Sequence, residues 1–453
     1  MDRKLLYKLL SIGLLTLLLM LPLFMIEDQI RGRSLRQDEV KENIARSAAG
    51  AQTLVGPVLA IRYRERGAPE TRKDPDTGQI TTSRPIHEHL LTLPAKALDI
   101  RGKATVERRS RGIYQARLFH LDLSFAGNFQ VPGHLGLSSQ VELVDAQAVL
   151  LLGLADPRGV SNDPEVSING QIRRFEAAQD GLLEQSLPGK RLELDLGPLP
   201  LDEARRFDFS FPLKLTGTEE LAIAPSAEAN TIELTSDWPH PSFQGRFLPR
   251  ERQVDGQGFA ARWEVSHLAR SLEATLQAND ARFANDSRRE VLGISFMDPV
   301  NVYLQAERAV KYGSLFIVLT FAAFFLGELL RRRPVHPMQY LLVGLALAMF
   351  FLLLIALSEH FTFLLAYLIS AAACIGLICT YLAGVLGGRR PALAFGAGFT
   401  GLYGVLYGVL QSEDNSLLMG SLLLFIALGA IMLSTRRLNW YRLGEPGHGE
   451  GEA

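Results

Sequence analysis

Two long apolar stretches constrain the fold of this chain more than any other feature of its sequence. The first covers residues 5–26, and the second extends, with short polar interruptions, over residues 314–434. Between them, residues 27–311 carry charges throughout and have the composition of a water-soluble domain. An overall hydrophobic content of 47% suits a soluble protein equally well, so the separation of apolar from polar segments is what indicates a membrane protein.

The N-terminal stretch is long enough to cross a bilayer. Its residues 5–26 form about 33 Å of helix, compared with a hydrocarbon core about 30 Å thick. A cleaved signal peptide has a shorter apolar run followed by small residues at the cleavage site, whereas residues 20–26 are bulky to the end. The sequence therefore predicts an uncleaved membrane anchor.

Polar breaks divide the C-terminal stretch into five predicted spans, at residues 314–330, 338–357, 362–386, 392–410 and 416–434. Every second break is rich in arginine, and the breaks between them are acidic or neutral. Because Lys and Arg are enriched in cytoplasmic loops, this alternation, with the basic residues ahead of the anchor, predicts that both termini are cytoplasmic. Three arginines that follow the anchor, among them Arg33, oppose this orientation, but long translocated domains obey the charge rule poorly.

These features predict a multi-pass α-helical membrane protein with six transmembrane helices and a large, mainly β extracytoplasmic domain. The predicted parts are an N-terminal anchor at 1–30, a periplasmic β-rich domain at 31–312, a five-helix transmembrane bundle at 313–435 and a cytoplasmic tail at 436–453. The predicted location is a membrane, with the lipid bilayer as one partner.

The residues that follow the anchor change in pattern twice. Ser34 and Gln37 have the spacing of a capping box, which predicts a short separate helix ending near residue 49. Beyond it, short alternating runs bounded by Gly, Pro, Asn and Asp predict β-strands, in sandwich-like or meandering sheets.

The sequence lacks the common catalytic motifs HExxH, GxSxG, P-loop, SxxK and CxxC. A net charge of −1, without a basic patch interleaved with aromatics, argues against a nucleic-acid partner. His87 and His89 would share one face of a strand, but no third ligand stands at a recognisable spacing, so a surface pair is the favoured interpretation. We therefore expect no cofactor and no metal site.

One predicted loop, residues 236–249, concentrates aromatic, proline and polar residues. Its candidate binding residues are Trp238, His240, Phe243, Arg246 and Phe247. Such a loop is either a rigid cover over a core or a binding edge. The structural alternative is favoured, because proline fixes the backbone and Trp and Phe are usually buried.

A second candidate site is the polar group Ser358, Glu359 and His360 at the predicted outer end of the third span. These residue types serve as nucleophile, acid and base in enzymes. Neighbouring residues on a helix point about 100° apart, so the three cannot form a triad among themselves. Polar groups at the membrane interface are the favoured interpretation, although ionisable residues at such a boundary keep Glu359 and His360 as functional candidates.

Along essentially its whole length, the chain resembles the CreD family of inner-membrane proteins. The segments that carry the resemblance are LVGP at 54–57, RGIY at 111–114, DPRG at 156–159, residues 236–249, HPMQYLLVG at 336–344 and SEH at 358–360. The resemblance implies an inner-membrane protein whose expression is controlled by a two-component sensor and regulator. It also implies an effect on tolerance of envelope stress, including certain colicins and β-lactams, and it brings no catalytic residue or cofactor.

Two functional hypotheses follow. The first is a non-enzymatic protein that supports cell-envelope integrity, with an outer domain that binds or senses a periplasmic protein or a cell-wall ligand. The alternative is a membrane-embedded enzyme or transporter that uses Glu359 and His360 at the mouth of the C-terminal bundle. The oligomeric state stays open, as does the question of whether the bundle is an anchor or an active part.

Overall fold

The computed structural model describes residues 3–73, 80–178, 190–269, 290–296, 301–331, 335–385, 388–411 and 416–436. These residues form two compact units. A helical unit contains the described parts of Met1–Gln37 and Val300–Ala453, and a β unit contains those of Asp38–Pro299. Almost all of the predicted cytoplasmic tail, residues 437–453, lies outside the described residues.

Helix α1, Arg3–Ser47, is one uninterrupted helix of 45 residues. The prediction of an anchor followed by a separate short helix was therefore wrong, and Ser34 and Gln37 lie inside α1 rather than capping a new helix. Residues 27–33 contain no proline, and their one glycine, Gly32, weakens a helix by only about 1 kcal/mol. Nothing in this polar segment is strong enough to stop a helix that the apolar stretch has already begun.

Six further helices belong to the helical unit. They are α2 (Val302–Lys311), α3 (Gly313–Arg331), α4 (Pro337–Ser358), α5 (Phe363–Val385), α6 (Arg389–Gln411) and α7 (Ser416–Thr435). Within the described chain, five helical stretches are long and apolar enough to cross a membrane: Leu6–Ser47, Val302–Glu328, Pro337–Ser358, Phe363–Gly384 and Ala392–Gln411. The described apolar part of α7, Leu418–Leu433, is shorter. Helix α2 was not predicted, because its residues were counted with the β-rich domain.

The β unit is built from two large sheets. The first contains β1 (Gln52–Arg66), β4 (Ile86–Leu93), β7 (Glu142–Leu154), β10 (Glu176–Ala177), β11 (Lys190–Pro198), β13 (Glu220–Ala224), β15 (Ser242–Gly245) and β18 (Leu292–Ser295). The second contains β5 (Ala95–Arg111), β6 (Tyr114–Val131), β8 (Glu165–Ile168), β9 (Gln171–Arg174), β12 (Arg205–Thr218), β14 (Ala227–Ser236), β16 (Glu251–Asp255) and β17 (Gly258–Ser266). Strands β2 (Glu70–Lys73) and β3 (Ile80–Ser83) form a small separate hairpin. The prediction of a large, mainly β domain is confirmed.

Each sheet has a long pair of strands near its middle, β1 with β7 in the first sheet and β5 with β6 in the second. The first sheet runs β10-β11-β7-β1-β13-β18-β15, with β4 also paired to β1, and the second runs β16-β17-β14-β5-β6-β12-β8-β9. Most pairs are antiparallel, while β1 with β13 and β14 with β5 are parallel. Strand β15 is therefore an edge strand, and among the described residues it pairs only with β18.

One apolar core joins the two sheets, with buried side chains from β1 and β7 on one side and from β5, β6 and β12 on the other. Phenylalanines dominate its β6–β12 face, where Phe125 stacks on Phe211 with ring centroids 4.6 Å apart. Gly127 on β6 makes room for the ring of Phe209, since a Cβ atom there would lie 2.6 Å from it. The alternating burial along β12 is the pattern of a strand with one face toward a core and one toward solvent.

Candidate functional site

Glu359 ends α4 and lies at a meeting point of three helices. Its carboxylate accepts two hydrogen bonds from the guanidinium of Arg33 on α1, one of them 2.6 Å long to Oε2. The hydroxyl of Tyr303 on α2 donates to Oε1 over 3.3 Å. Only 7% of the Glu359 side chain is exposed, compared with 40% for Arg33. Both carboxylate oxygens are thus engaged in holding α1 and α2 to α4.

Hydrogen-bonded polar side chains also lie close to this ion pair on α1 and α2. The side chain of Asn301 caps α2 by accepting a hydrogen bond from the Tyr303 backbone N–H, 3.0 Å away. The Asn301 amide also donates to Gln37 on α1 over 3.4 Å. His360, by contrast, is exposed, and the structure does not bring it to the Glu359 carboxylate as a partner. The two candidate residues therefore do not form one site.

Near the other end of α1, a second ion pair joins this helix to α3. Lys8 on α1 contacts Glu328 on α3 and also donates to the backbone carbonyl of Val335 over 3.0 Å. The hydroxyl of Tyr340 on α4 donates to the same carboxylate over 3.2 Å. Lys8 and Arg33 are 25 positions apart on one helix, which corresponds to about 37 Å. The two ion pairs are separated by slightly more than the thickness of a hydrocarbon core.

Three aromatic side chains anchor segment 236–249 to the core of the β unit. Trp238 is 5% exposed, and its indole N–H donates to the carbonyl of His240 over 2.9 Å. Phe243 packs edge-on against Trp263, whose own indole N–H donates to the carbonyl of Phe247 over 3.1 Å. These aromatic residues fix the segment from inside, as the structural interpretation predicts.

The remaining candidates in this segment point outward. His240 is exposed, and Arg246 is exposed and forms an ion pair with Glu290. Between them, strand β15 lies at the edge of the first sheet. The structure therefore separates the five candidates into three anchored aromatic residues and two exposed polar residues that flank an edge strand.

A buried arginine that sequence reasoning missed lies beside Trp238. Arg117 on β6 is 4% exposed, and its guanidinium carbon is 4.9 Å from the centroid of the Trp238 ring. Burial, and then the nearby charge of Arg108, lower the pKa of Arg117 to about 10, while Glu219 acts in the opposite direction. Arg117 still carries its charge at neutral pH, in a cation–π arrangement. A single arginine in an alternating strand gives no sequence signal that sets it apart.

The DPRG segment at 156–159 forms a tight junction between the end of α1 and the first sheet. Asp156 caps a short 3₁₀ helix, and its carboxylate receives the backbone N–H of Gly50 over 3.2 Å. Arg158 bonds the same carboxylate and also donates to the carbonyl of Arg46 in the last turn of α1, 2.8 Å away. The hydrogen bond from Arg158 is the main reason that the pKa of Asp156 falls to about 2.

Residues 336–344 are likewise held by local contacts, at the start of α4. His336 and Gln339 form a capping box at the start of α4, with His336 Nδ1 accepting from the Met338 N–H over 3.2 Å. Gly344 then allows a close approach of α1, because a Cβ atom there would lie 2.1 Å from Leu19. Within this segment, helix packing restricts Gly344, and His336 and Gln339 serve to cap α4.

Metal ligation finds no support in the part of the chain that the structure describes. Among those residues, no group of three or more His, Cys, Asp or Glu side chains is arranged to hold an ion. The imidazole of His89 pairs with Glu65 over 3.0 Å, and its ring centroid is 6.5 Å from that of His87.

Comparison with known proteins identifies the family. Residues 4–441 match the family described as inner membrane protein CreD. The chain is 35% identical to the inner membrane protein CreD of Escherichia coli strain K12, over 98% of this chain and 96% of that protein.

Likeness to solved structures is slight. An M1 zinc metallopeptidase variant from Deinococcus radiodurans has a TM-score of 0.20 at 9% identity, covering 38% of each chain. A nutrient-binding protein described as putative, from Legionella pneumophila, has a TM-score of 0.22 at 6% identity, covering 56% of this chain and 85% of that one. Both scores are too low to inform function, so the assignment depends on the family match and the Escherichia coli relative. The chain belongs to the CreD family of inner membrane proteins.

Proposed function

We propose that this protein supports the integrity of the cell envelope without catalysing a reaction, and that its β unit binds a periplasmic protein or cell-wall component. The observation that carries the proposal is the construction of segment 236–249. Trp238 is buried in the core, and Phe243 and Phe247 pack against it. The exposed Gln244 lies on the edge strand β15, which the exposed residues His240 and Arg246 flank. An edge strand presents backbone groups that an extended partner can pair with, and neighbouring side chains supply selectivity.

The proposed topology has six spans, with both termini in the cytoplasm and residues 31–312 in the periplasm. Helix α7 has 20 residues, or about 30 Å of helix, which suffices for a sixth span. The ion pairs of Lys8 and Arg33 support a crossing of the membrane by α1, since charges at the two ends of a span are favoured near the interfaces. We retain 1–30, 31–312, 313–435 and 436–453 as the proposed functional division.

The binding proposal predicts that exposed residues of the segment matter for function and little for stability. In a strain that lacks the chromosomal gene, the variant His240→Ala/Gln244→Ala is expected to lose envelope-stress tolerance at normal protein level and unchanged thermal midpoint. Gln171→Ala, at the exposed edge strand β9 of the other sheet, serves as the matched control and should retain full tolerance. Full tolerance of the double variant would place the binding surface elsewhere.

The alternative, a membrane-embedded enzyme or transporter, has less support from the geometry of Glu359. Both of its oxygens are held by Arg33 and Tyr303, and His360 is exposed rather than paired with it. A general acid or base needs access to a substrate proton. The position of Glu359 is better suited to tying three helices together.

A further inference from the structure

An apolar cavity of about 450 Å³ lies between α3, α6 and α7. Leu326, Phe395 and Ile431 line it, one from each helix, and small residues such as Gly398 and Ala430 create its space. Thr320 is the lining residue with a side-chain hydroxyl, and the oxygen of that hydroxyl is buried. The wall that a ligand meets is therefore hydrocarbon, and the volume falls within the range of about 300–1,000 Å³ typical of ligand pockets.

The cavity lies nearer the N-terminal end of α6 and nearer the C-terminal end of α7. On α6 the lining residues run from Ala394 to Leu402, a rise of about 12 Å, which is less than the hydrocarbon thickness of one leaflet. Ala394 follows Arg390 by about 6 Å of helix, and Ile431 precedes Arg436 by about 7.5 Å.

Positive charge lies near these same ends of α6 and α7. Arg390 and Arg436 are both exposed, near the start of α6 and just after the end of α7. Glu328, the carboxylate near the end of α3, is already held by Lys8. Along α6 and along α7, an exposed arginine thus lies within about 6–8 Å of the apolar lining.

We propose that this cleft binds an anionic phospholipid, with one acyl chain in the cavity and the phosphate headgroup at Arg390 and Arg436. The apolar wall excludes a polar group from the cavity itself, so the occupant there is a hydrocarbon chain. The two arginines select the headgroup by charge, as basic sites at helix ends do for anionic lipids. This inference is independent of the binding function proposed for the β unit.

The test measures phospholipid retained by the purified full-length protein in native mass spectrometry. Phosphatidylglycerol and phosphatidylethanolamine with identical acyl chains are the probes. Gly398→Leu fills the cavity from a position where an added Cβ atom meets nothing within 4 Å, so it is expected to fold and to weaken phosphatidylglycerol retention roughly tenfold. Gly401→Leu is the matched control, since Gly401 is equally open, lies on the same helix and does not line the cavity.

A second cavity-filling variant tests the binding of the acyl chain, and a double arginine variant tests the selection of the headgroup. Ala430→Leu fills the cavity from α7 and is expected to reproduce the loss if Gly398→Leu yields no folded protein. Equal retention by cavity-filling variants, Gly401→Leu and wild type would overturn the chain-binding part. Arg390→Gln/Arg436→Gln should abolish the preference for phosphatidylglycerol over phosphatidylethanolamine, and a wild type without that preference would overturn the headgroup part.

Discussion

At the scale of single residues, the role of the Glu359 carboxylate depends on its partners in space rather than on its neighbours in the sequence. Its sequence neighbours His360 and Ser358 suggest acid–base chemistry, but its partners in space are Arg33 and Tyr303. Arg33, which counts against the predicted orientation when only loop charges are considered, is neutralised by this pairing. A contact between residues more than 300 positions apart has no signature in a single sequence, so this part of the candidate site was not predictable.

The ion pair makes a sharp prediction about Arg33→Glu. The single variant places two carboxylates together and is expected to destabilise the helical unit by about 2 kcal/mol or more. The double variant Arg33→Glu/Glu359→Arg should recover most of the thermal midpoint and the protein level, both measured on full-length protein in detergent. Recovery of stability without recovery of envelope-stress tolerance would instead support the enzyme or transporter alternative.

Arg31→Glu provides the control for this experiment. Arg31 lies on the same helix and forms only an exposed pair with Glu27, 3.6 Å apart. Exposed pairs of this spacing contribute about 0.2–0.5 kcal/mol, so its midpoint should stay close to that of the wild type. A loss as large as that of Arg33→Glu would show that negative charge in this region, rather than the Glu359 pair, causes the effect.

At the scale of elements, helices and strands were predicted where their periodicity is uniform and missed where it changes. The apolar runs of α4 and α5 predict their helices within a few residues. Helix α2 was missed although Tyr303, Ala306 and Val310 repeat at helical spacing, because it has only ten residues and ends just before the next apolar run. The first helix was predicted to end too early, because a polar segment such as residues 27–47 can continue an existing helix as well as begin a new one.

The junction after α1 gives a prediction at this scale. In Gly159→Ala, the new Cβ atom would lie 2.1 Å from the Thr216 carbonyl oxygen and 2.5 Å from the Gln52 amide nitrogen. Such overpacking is expected to lower the free energy of unfolding of the β unit by about 1–3 kcal/mol, seen as a lower denaturation midpoint by tryptophan fluorescence. Gly256→Ala, in an open turn where a Cβ atom meets nothing within 4 Å, should have no comparable effect.

At the scale of the whole molecule, the division into apolar helices and a mainly β region was predictable from composition along the chain. The arrangement of the strands was not, because β1 pairs with β13 through residues 169 positions apart, such as Gln52 and Leu221. Burial of Trp238 was predictable from residue type, while the contact of Trp238 with Arg117 required the registers of β14 and β6 against β5, which lies between them. Two of the short segments that carry the family resemblance, DPRG at 156–159 and HPMQYLLVG at 336–344, have roles in local packing that only the structure shows.

The proposed orientation of the whole molecule predicts the labelling of two engineered cysteines. In a Cys374→Ala/Cys379→Ala background, Val254→Cys, exposed on β16, should react with a membrane-impermeant maleimide in intact spheroplasts. Arg436→Cys, exposed after α7, should react only once the membrane is opened. The reverse pattern would place the β unit in the cytoplasm and refute the proposed topology.

The pairing of α1 with helices from the far end of the chain also sets an order of events during synthesis. Glu328 follows Lys8 in the chain by 320 residues, and Glu359 follows Arg33 by 326 residues. At about 5–20 residues per second, the ribosome needs roughly 16–65 s to make the second partner. During that interval α1 carries both cations without these two carboxylates, and all the described strands of the β unit are made before it ends. The helical unit is therefore completed after the β unit, although its helix α1 is made before every described strand.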